Sequence, residues 1–169
     1  MREVALLLNE MLEAGVIRDY ALFGAAAQMR YTEPVATLDA DVLVGPPSSD
    51  RLEPLAGIYA FCAARGYRSA GEAIQVGDWP VQFIPAFSDL TQEAMAQAET
   101  VDFEGVPFRV VSAAHLAAIA LSVGRAKDFA RVLALIESGR VTPDQIAGLA
   151  ERHGLAESWR RFITRFGDA

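Results

Sequence analysis

The stretch Leu22–Val44, LFGAAAQMRYTEPVATLDADVLV, decides how the rest of the chain is read. Phe23-Gly24 ends a short apolar run and opens a tight turn, since a residue without a Cβ lets the backbone come close to a neighbouring group. Ala25–Arg30 is alanine-rich and predicts a short helix. Thr37–Val44 ends in an apolar run of strand character. In a strand, residues i and i+2 face the same side, so Asp39 and Asp41 are expected to project side by side from that strand. Two carboxylates that close repel each other unless a cation lies between them. Hard cations such as Mg²⁺ take oxygen ligands and work with phosphates supplied by a substrate. A bare Asp-x-Asp at the head of a strand also serves as a charged device against strand addition. Gly24 and Thr37 at this spacing favour the cation-binding reading.

Working outward, the 169 residues suit one domain, or one compact domain with a helical extension. Hydrophobic residues make up 52% of the chain, which excludes a disordered protein. The net charge of −7 argues against a protein that grips nucleic acid over a broad surface, because that needs a basic footprint. The single cysteine, Cys62, leaves no internal disulfide and no multi-cysteine metal site, and is expected in the core as a small apolar residue. Met1–Gly15 carries Glu3, Glu10 and Glu13, unlike a signal peptide. No apolar run reaches membrane-spanning length. A cytoplasmic location with no membrane partner is the expectation.

Arg2–Ala14 predicts an amphipathic helix, with Val4, Leu7, Leu8, Met11 and Leu12 on one stripe and Gly15 as its stop. Asp19–Phe23 predicts a strand. Gly45-Pro46-Pro47-Ser48-Ser49-Asp50 is a dense turn cluster. The helix after it is capped by Ser49 or Glu53, with Glu53 preferred because Pro54 suits a first helical position. Leu55, Ile58, Tyr59 and Cys62 would be its buried stripe. Tyr67–Gly77 predicts one strand or a hairpin arm, and Gly77-Asp78 a turn. Trp79–Pro85 predicts an apolar strand with Gln82 in its middle and prolines at its ends. Ser88 or Asp89 caps a helix running to Ala98, and Val101–Val111 reads as two short strands around Gly105. From Ser112 the texture turns helical, with Ala113–Val123, Lys127–Ser138, Thr142 to about His153, and Ala156–Phe166. The expected fold class is α+β, a mixed β-sheet flanked by helices over residues 1–111, with a C-terminal helical extension over residues 112–169 packed on it.

Leu22–Val44 resembles the signature of the polymerase-β-like nucleotidyltransferase superfamily: a hydrophobic residue, Gly, then Gly or Ser, and further on an Asp-x-Asp on a strand. Ala25 stands where the second Gly or Ser belongs, leaving only its backbone N–H for a triphosphate. Arg30, Tyr31, Thr37 and the two aspartates are similar to the variant of this signature in the AbiEii-type bacterial branch. The resemblance implies Mg²⁺, or Mn²⁺, held by Asp39 and Asp41. It also implies a nucleoside triphosphate held at Gly24, Ala25, Arg30, Thr37, Lys127 and Asp128. The activity implied is transfer of a nucleoside monophosphate to a hydroxyl or phosphate acceptor on a protein, a tRNA or a small molecule. For the AbiEii-like branch it further implies a toxin–antitoxin or phage-defence setting, with a cognate antitoxin-like partner or a homodimer.

Members of the superfamily carry a third catalytic carboxylate on a neighbouring strand, and Gln82 occupies the matching place here. An amide offers an oxygen to a cation but brings no charge and cannot act as a general base. Asp78, a substitute, lies before that strand. The run Gly124-Arg125-Ala126-Lys127-Asp128-Phe129-Ala130-Arg131 is similar to an Arg-x-Lys-Asp run on a later helix of the family. Lys127 would reach the triphosphate as a point charge, Asp128 would orient it or cap the helix, and Arg125 and Arg131 would add phosphate contacts. The same residues also read as a solvated helix face, and Arg30 and Tyr31 as a surface closure of the short helix. Two other functional readings stand beside transfer: a degenerate nucleotidyltransferase fold that binds nucleotide or partner, and an interaction module that dimerises through its helices. His115 falls at the capping-box position of the helix after Ser112 and is expected to be neutral there. His153 is expected against the last carbonyls of its helix, and Trp79 and Trp159 in the core. There is no Ser–His–Asp set, P-loop or Rossmann fingerprint.

Overall fold

Tyr20, Ala21 and Leu22 are buried, and Asp19–Phe23 forms β1 inside a mixed sheet. The computed structural model describes residues 1–45 and 53–167. β1 pairs antiparallel with β2 (Ala40–Gly45) and parallel with β7 (Val106–Val110). β2 pairs parallel with β5 (Trp79–Pro85), which carries β4 (Ala73–Val76) and then β3 (Arg68–Ala70) on its far side. β6 (Glu99–Phe103) closes the other edge as a hairpin with β7. The order of the seven strands is β3-β4-β5-β2-β1-β7-β6. β2 reads as a near-continuous apolar run because it is the central strand and is buried, with the helices Gly24–Gln28 and Asp89–Ala96 packed against it. β3 is short and exposed, as suits an edge.

The helices start and stop where local chemistry dictates. α1 (Arg2–Glu13) buries Val4, Leu7, Leu8 and Met11 and lies on β7. Its Asn9 donates to the Pro107 carbonyl at 2.8 Å and accepts from the Tyr20 hydroxyl at 2.9 Å. α2 (Gly24–Gln28) follows β1 directly. α4 (Asp89–Ala96) opens on a Ser88–Thr91 capping box, and α5 (Ala113–Val123) on Ser112, whose Oγ accepts from the His115 N–H. Gly124, at φ +72, closes α5 in the left-handed conformation. α6 (Ala126–Glu137), α7 (Pro143–Arg152, on a Thr142–Gln145 box) and α8 (Ala156–Phe166) follow. α5 packs against α2, α4, α6, α7 and α8, its alanines letting five neighbours approach. Phe129 of α6 meets Phe162 at 6.2 Å and Phe166 at 6.3 Å, and Trp159 stacks on Phe162 at 5.4 Å. One apolar cluster runs from Val4 through the sheet to Phe162.

Three expectations change, and a fourth falls outside the described residues. α3 runs from Ala56 to Ala64, with Leu55 as its uncapped N-cap. Glu53-Pro54-Leu55 forms a turn in which the Glu53 carbonyl accepts from the Ala56 N–H at 3.2 Å, so Pro54 precedes the helix instead of opening it. Tyr67–Gly77 holds two strands, β3 and β4, because Gly71 at φ +66 turns the chain between them. Trp79 and Trp159 sit at the margin of the core, partly buried. The turn residues Pro46–Asp50, with Ser49 as a cap, lie outside the described residues. Cys62 is buried and free, as expected. Among the described residues no helix is long and apolar enough to cross a membrane.

His153 does not serve its own helix end. Its Nε2 lies 2.6 Å from Glu93 Oε2. Arg152 donates to Glu93 Oε1 at 2.8 Å, and His115 Nε2 lies 3.4 Å from the same oxygen. Glu93 thus staples α4 to α5 and α7. The hydrogen bond from Arg152 does most to hold the Glu93 carboxyl down at about 2, against the cost of burial and with the help of both histidines. His115 is pushed below its ordinary value, first by burial. Its ring meets the Ser112 hydroxyl at 2.9 Å. A depressed carboxylate stabilises the fold above its unfolded value, and that stabilisation is lost as pH falls toward the folded value. Glu93→Gln is therefore expected to flatten the fall in Tm between about pH 4.5 and pH 2 and to lower Tm at pH 7 by roughly 2–4 °C, about 1 kcal/mol after screening. Melting curves against pH check both.

Candidate active site

Gly24 is fixed by two constraints. Its φ is +69, and a Cβ there would overlap the Asp41 carboxylate. The turn from β1 into α2 therefore lies directly against Asp41, whose strand position faces Phe23 across the antiparallel pair. Asp41 is within β2, but Asp39 precedes that strand by one residue. Both aspartates were expected on the strand. Thr37 explains the difference: its Oγ1 donates to the Asp39 carbonyl at 3.0 Å and to Asp39 Oδ1 at 3.3 Å. Those bonds fold residues 37–39 into a turn, and ladder pairing with β5 begins at Ala40↔Val81.

In the next pair of that parallel register Asp41 stands beside Gln82. Gln82 Nε2 donates to Asp39 Oδ2 at 3.3 Å. The amide thus occupies the space beside both carboxylates and supports one of them without adding charge. Asp78 is exposed in the turn between β4 and β5, outside this register. Burial and then the charge of Asp39 push the Asp41 carboxyl above its ordinary range, while Arg131 and Lys127 work in the opposite direction.

Those two cations come from α6. Lys127, Ala130, Arg131 and Ala134 recur at helical spacing on one face and line a cleft of about 550 Å³ together with Ala25, Thr37 and Asp39. Arg131 Nε donates to Gln28 Oε1 at 3.0 Å, and Gln28 is buried. Asp128 is also buried but turned along its own helix: it accepts from the Arg125 N–H at 3.1 Å and from Arg125 Nε at 2.8 Å. Burial opposes its ionisation, yet these bonds hold its carboxyl below the usual range. Asp128 caps α6 and so sets where Lys127 stands. Arg125 is engaged by Asp128.

Arg30 and Tyr31 lie elsewhere. Arg30 forms an ion pair with Glu99 at 2.8 Å, and the buried Tyr31 donates to the Val111 carbonyl at 3.0 Å. Both line a second, larger cleft of about 730 Å³ with Ser112, His115, Arg140 and Arg152. That cleft holds neither aspartate. Gly24, Ala25, Thr37, Asp39, Asp41, Gln82 and Lys127 are brought together; Arg30 and Asp128 are not. Gln28, a polar residue in an alanine-rich helix, escaped the reading of the sequence.

No family model matches the chain, and no curated protein does. Solved structures do. The antibiotic-resistance factor ANT(2'')-Ia in complex with adenylyl-2''-tobramycin is 15% identical, with a TM-score of 0.53 over 96% of this chain and 97% of that one. A nucleotidyltransferase-like antigenic protein from Paracoccidioides brasiliensis is 13% identical, with a TM-score of 0.55 over 94% of this chain and 93% of that one. The chain has a nucleotidyltransferase fold. The shared fold takes in α5–α8 as well as the sheet.

The nucleotidyltransferase fold implies a divalent cation, and the residues present fit one. Asp39 and Asp41 are two partly buried carboxylates close enough for the charge of one to raise the other. Among the described residues no group of three or more His, Cys, Asp or Glu side chains is arranged to hold a metal. Mg²⁺ needs no such cage: it takes one or two carboxylates and fills its remaining positions with water and substrate phosphates. A second ion would have only the neutral oxygen of Gln82 in place of a third carboxylate.

Proposed function

We propose that the chain binds a Mg²⁺–nucleoside triphosphate in the cleft between α6 and the segment 35–39 that leads into β2, and transfers the nucleoside monophosphate to an acceptor, releasing pyrophosphate. The observation that carries this reading is the convergence of Asp39, Lys127 and Arg131 on one cleft, with Asp41 near enough to both cations to feel their charge. Mn²⁺ suits the same oxygen ligands. When bound, the cation neutralises the carboxylates and polarises the phosphate oxygens. Gly24 admits the backbone close to Asp41, and the Ala25 N–H is available to a phosphate oxygen. Thr37 holds Asp39 in place. Lys127 supplies a compact positive charge to the leaving pyrophosphate. The acceptor hydroxyl attacks the α-phosphorus, the bond to the pyrophosphate oxygen breaks, and the hydroxyl proton passes to a carboxylate. Burial and the charge of Asp39 raise the affinity of Asp41 for a proton. Gln82 accepts none.

A small hydroxyl-bearing molecule or a protein fits the acidic chain better than tRNA, given the net charge of −7. ANT(2'')-Ia, whose complex contains adenylyl-2''-tobramycin, gives a small-molecule precedent for this fold. The AbiEii-like features around Arg30, Tyr31 and Thr37 point to a toxin–antitoxin or phage-defence setting, with an antitoxin-like partner. A second reading, nucleotide or partner binding without transfer, is favoured by the Gln82–Asp39 hydrogen bond and by Ala25. The homodimer reading is less favoured because the aromatic stripe of α8 turns inward onto Phe129. Incubation with each α-labelled ribonucleoside triphosphate and Mg²⁺, scored for pyrophosphate release with candidate acceptors, tests transfer. Release that Asp41→Asn abolishes supports it; nucleotide binding without release across the acceptor classes supports the second reading.

A further inference from the structure

The carboxylate cleft carries the charges of Asp39, Lys127 and Arg131, and more than half of its lining residues are apolar. Leu38 stands between Thr37 and Asp39 with 90% of its surface exposed, on a turn that the Thr37 bonds fix. A leucine so placed adds nothing to the core, yet it lines the same cleft as Asp39 and Lys127. Val35 and Ala36 extend its wall. Across the cleft α6 presents Ala130 and Ala134, on the same face as Lys127 and progressively further along the helix. The two walls make a slot beside the charges, with Arg131 between Ala130 and Ala134. Of the polar side chains in it, Gln28 accepts from Arg131 at 3.0 Å and donates to Thr32 at 3.4 Å, and Thr37 is bonded to Asp39.

We propose that Leu38, with Val35 and Ala134, seats the nucleobase, gripping its faces by apolar contact and leaving its hydrogen-bonding edge unread. The inference rests on the nucleotide-binding reading and adds an orientation: phosphates at Asp39, Asp41 and Lys127, base toward Ala134. The substrate class that follows is a nucleoside triphosphate of either purine, with pyrimidines weaker because they bury less surface.

The test is equilibrium binding, with Mg²⁺, of ATP, GTP, CTP, UTP and inorganic tripolyphosphate to the wild type and to Leu38→Ser. Leu38 is exposed, so the variant folds. ATP and GTP should bind within about threefold of each other, and each should bind about tenfold more weakly to Leu38→Ser, the scale of one lost apolar side-chain contact. Tripolyphosphate should bind both proteins equally. Unchanged nucleotide affinity in Leu38→Ser, an equal loss for tripolyphosphate, or a large ATP-over-GTP preference in the wild type would overturn the base seat while leaving phosphate binding in place. Binding of neither nucleotides nor tripolyphosphate by the wild type would overturn the nucleotide-binding reading, and the base seat with it.

Discussion

Asp41→Asn is expected to melt at a higher temperature than the wild type at pH 7 without divalent ions, while transfer falls by about a hundredfold or more, the scale of losing one electrostatic contact to a transition state. The opposite signs follow from the environment of the carboxylate. Burial, and then the charge of Asp39, raise Asp41 in the folded protein. A carboxyl whose folded value is raised stabilises the fold at low pH. That contribution is lost as pH rises through its folded value, and above it the ionised group costs stability. Asparagine keeps the shape and removes the cost, and each kcal/mol relieved is worth roughly 2–4 °C for a chain of this size. The wild type should accordingly gain Tm relative to Asp41→Asn as pH is lowered. An aspartate serving only the fold would behave otherwise, its loss lowering both stability and function. A lower Tm for Asp41→Asn in the metal-free protein would show that Asp41 is structural.

Gln82→Asp should move the same quantities in the opposite sense. The register places residue 82 beside Asp41, and the amide donates to Asp39 at 3.3 Å. Aspartate there removes that donor and adds a third negative charge to a crowded site, so the metal-free protein should melt lower. Mg²⁺ should then restore more stability than it does in the wild type, because three carboxylates repay a cation more than two. If transfer is limited by an incomplete site, turnover should rise by about tenfold or more, a gain of roughly 1.4 kcal/mol in the barrier. An unchanged Mg²⁺ response together with unchanged turnover would remove Gln82 from the catalytic constellation.

The parts of the fold legible in the sequence were those written in local chemistry. Phe23-Gly24 marked the end of β1, Ser112 and Thr142-Pro143 marked the starts of α5 and α7, and Gly124 marked the end of α5. Gln82 was placed beside the aspartates by the family resemblance alone, at the position of the third carboxylate, and the parallel register sets it next to Asp41. The start of β2 was not legible: the Thr37 hydroxyl competes with the ladder for residues 37–39, and a period-2 pattern carries no sign of that. Glu93 and His153 are 60 residues apart, and Arg30 and Glu99 are 69 apart. No spacing rule joins such pairs; only the packing of α4, α5 and α7 and the β6–β7 hairpin brings them together. Asp128 lay between two readings, phosphate contact and helix cap, and its burial together with its bonds to Arg125 makes it the cap.

Asp39 and Asp41 are proposed to hold a cation that in turn holds a nucleotide. Thermal melting with each ribonucleoside triphosphate, with and without Mg²⁺, on the wild type and on an Asp39→Ala/Asp41→Ala variant, tests it with no knowledge of the acceptor. Ligand at a hundredfold its dissociation constant stabilises by about 2.7 kcal/mol, a rise of roughly 5–10 °C. That rise is expected in the wild type only when Mg²⁺ is present, and it should be lost in the variant. A flat response to all four nucleotides, or a rise that the variant keeps, would contradict the proposal.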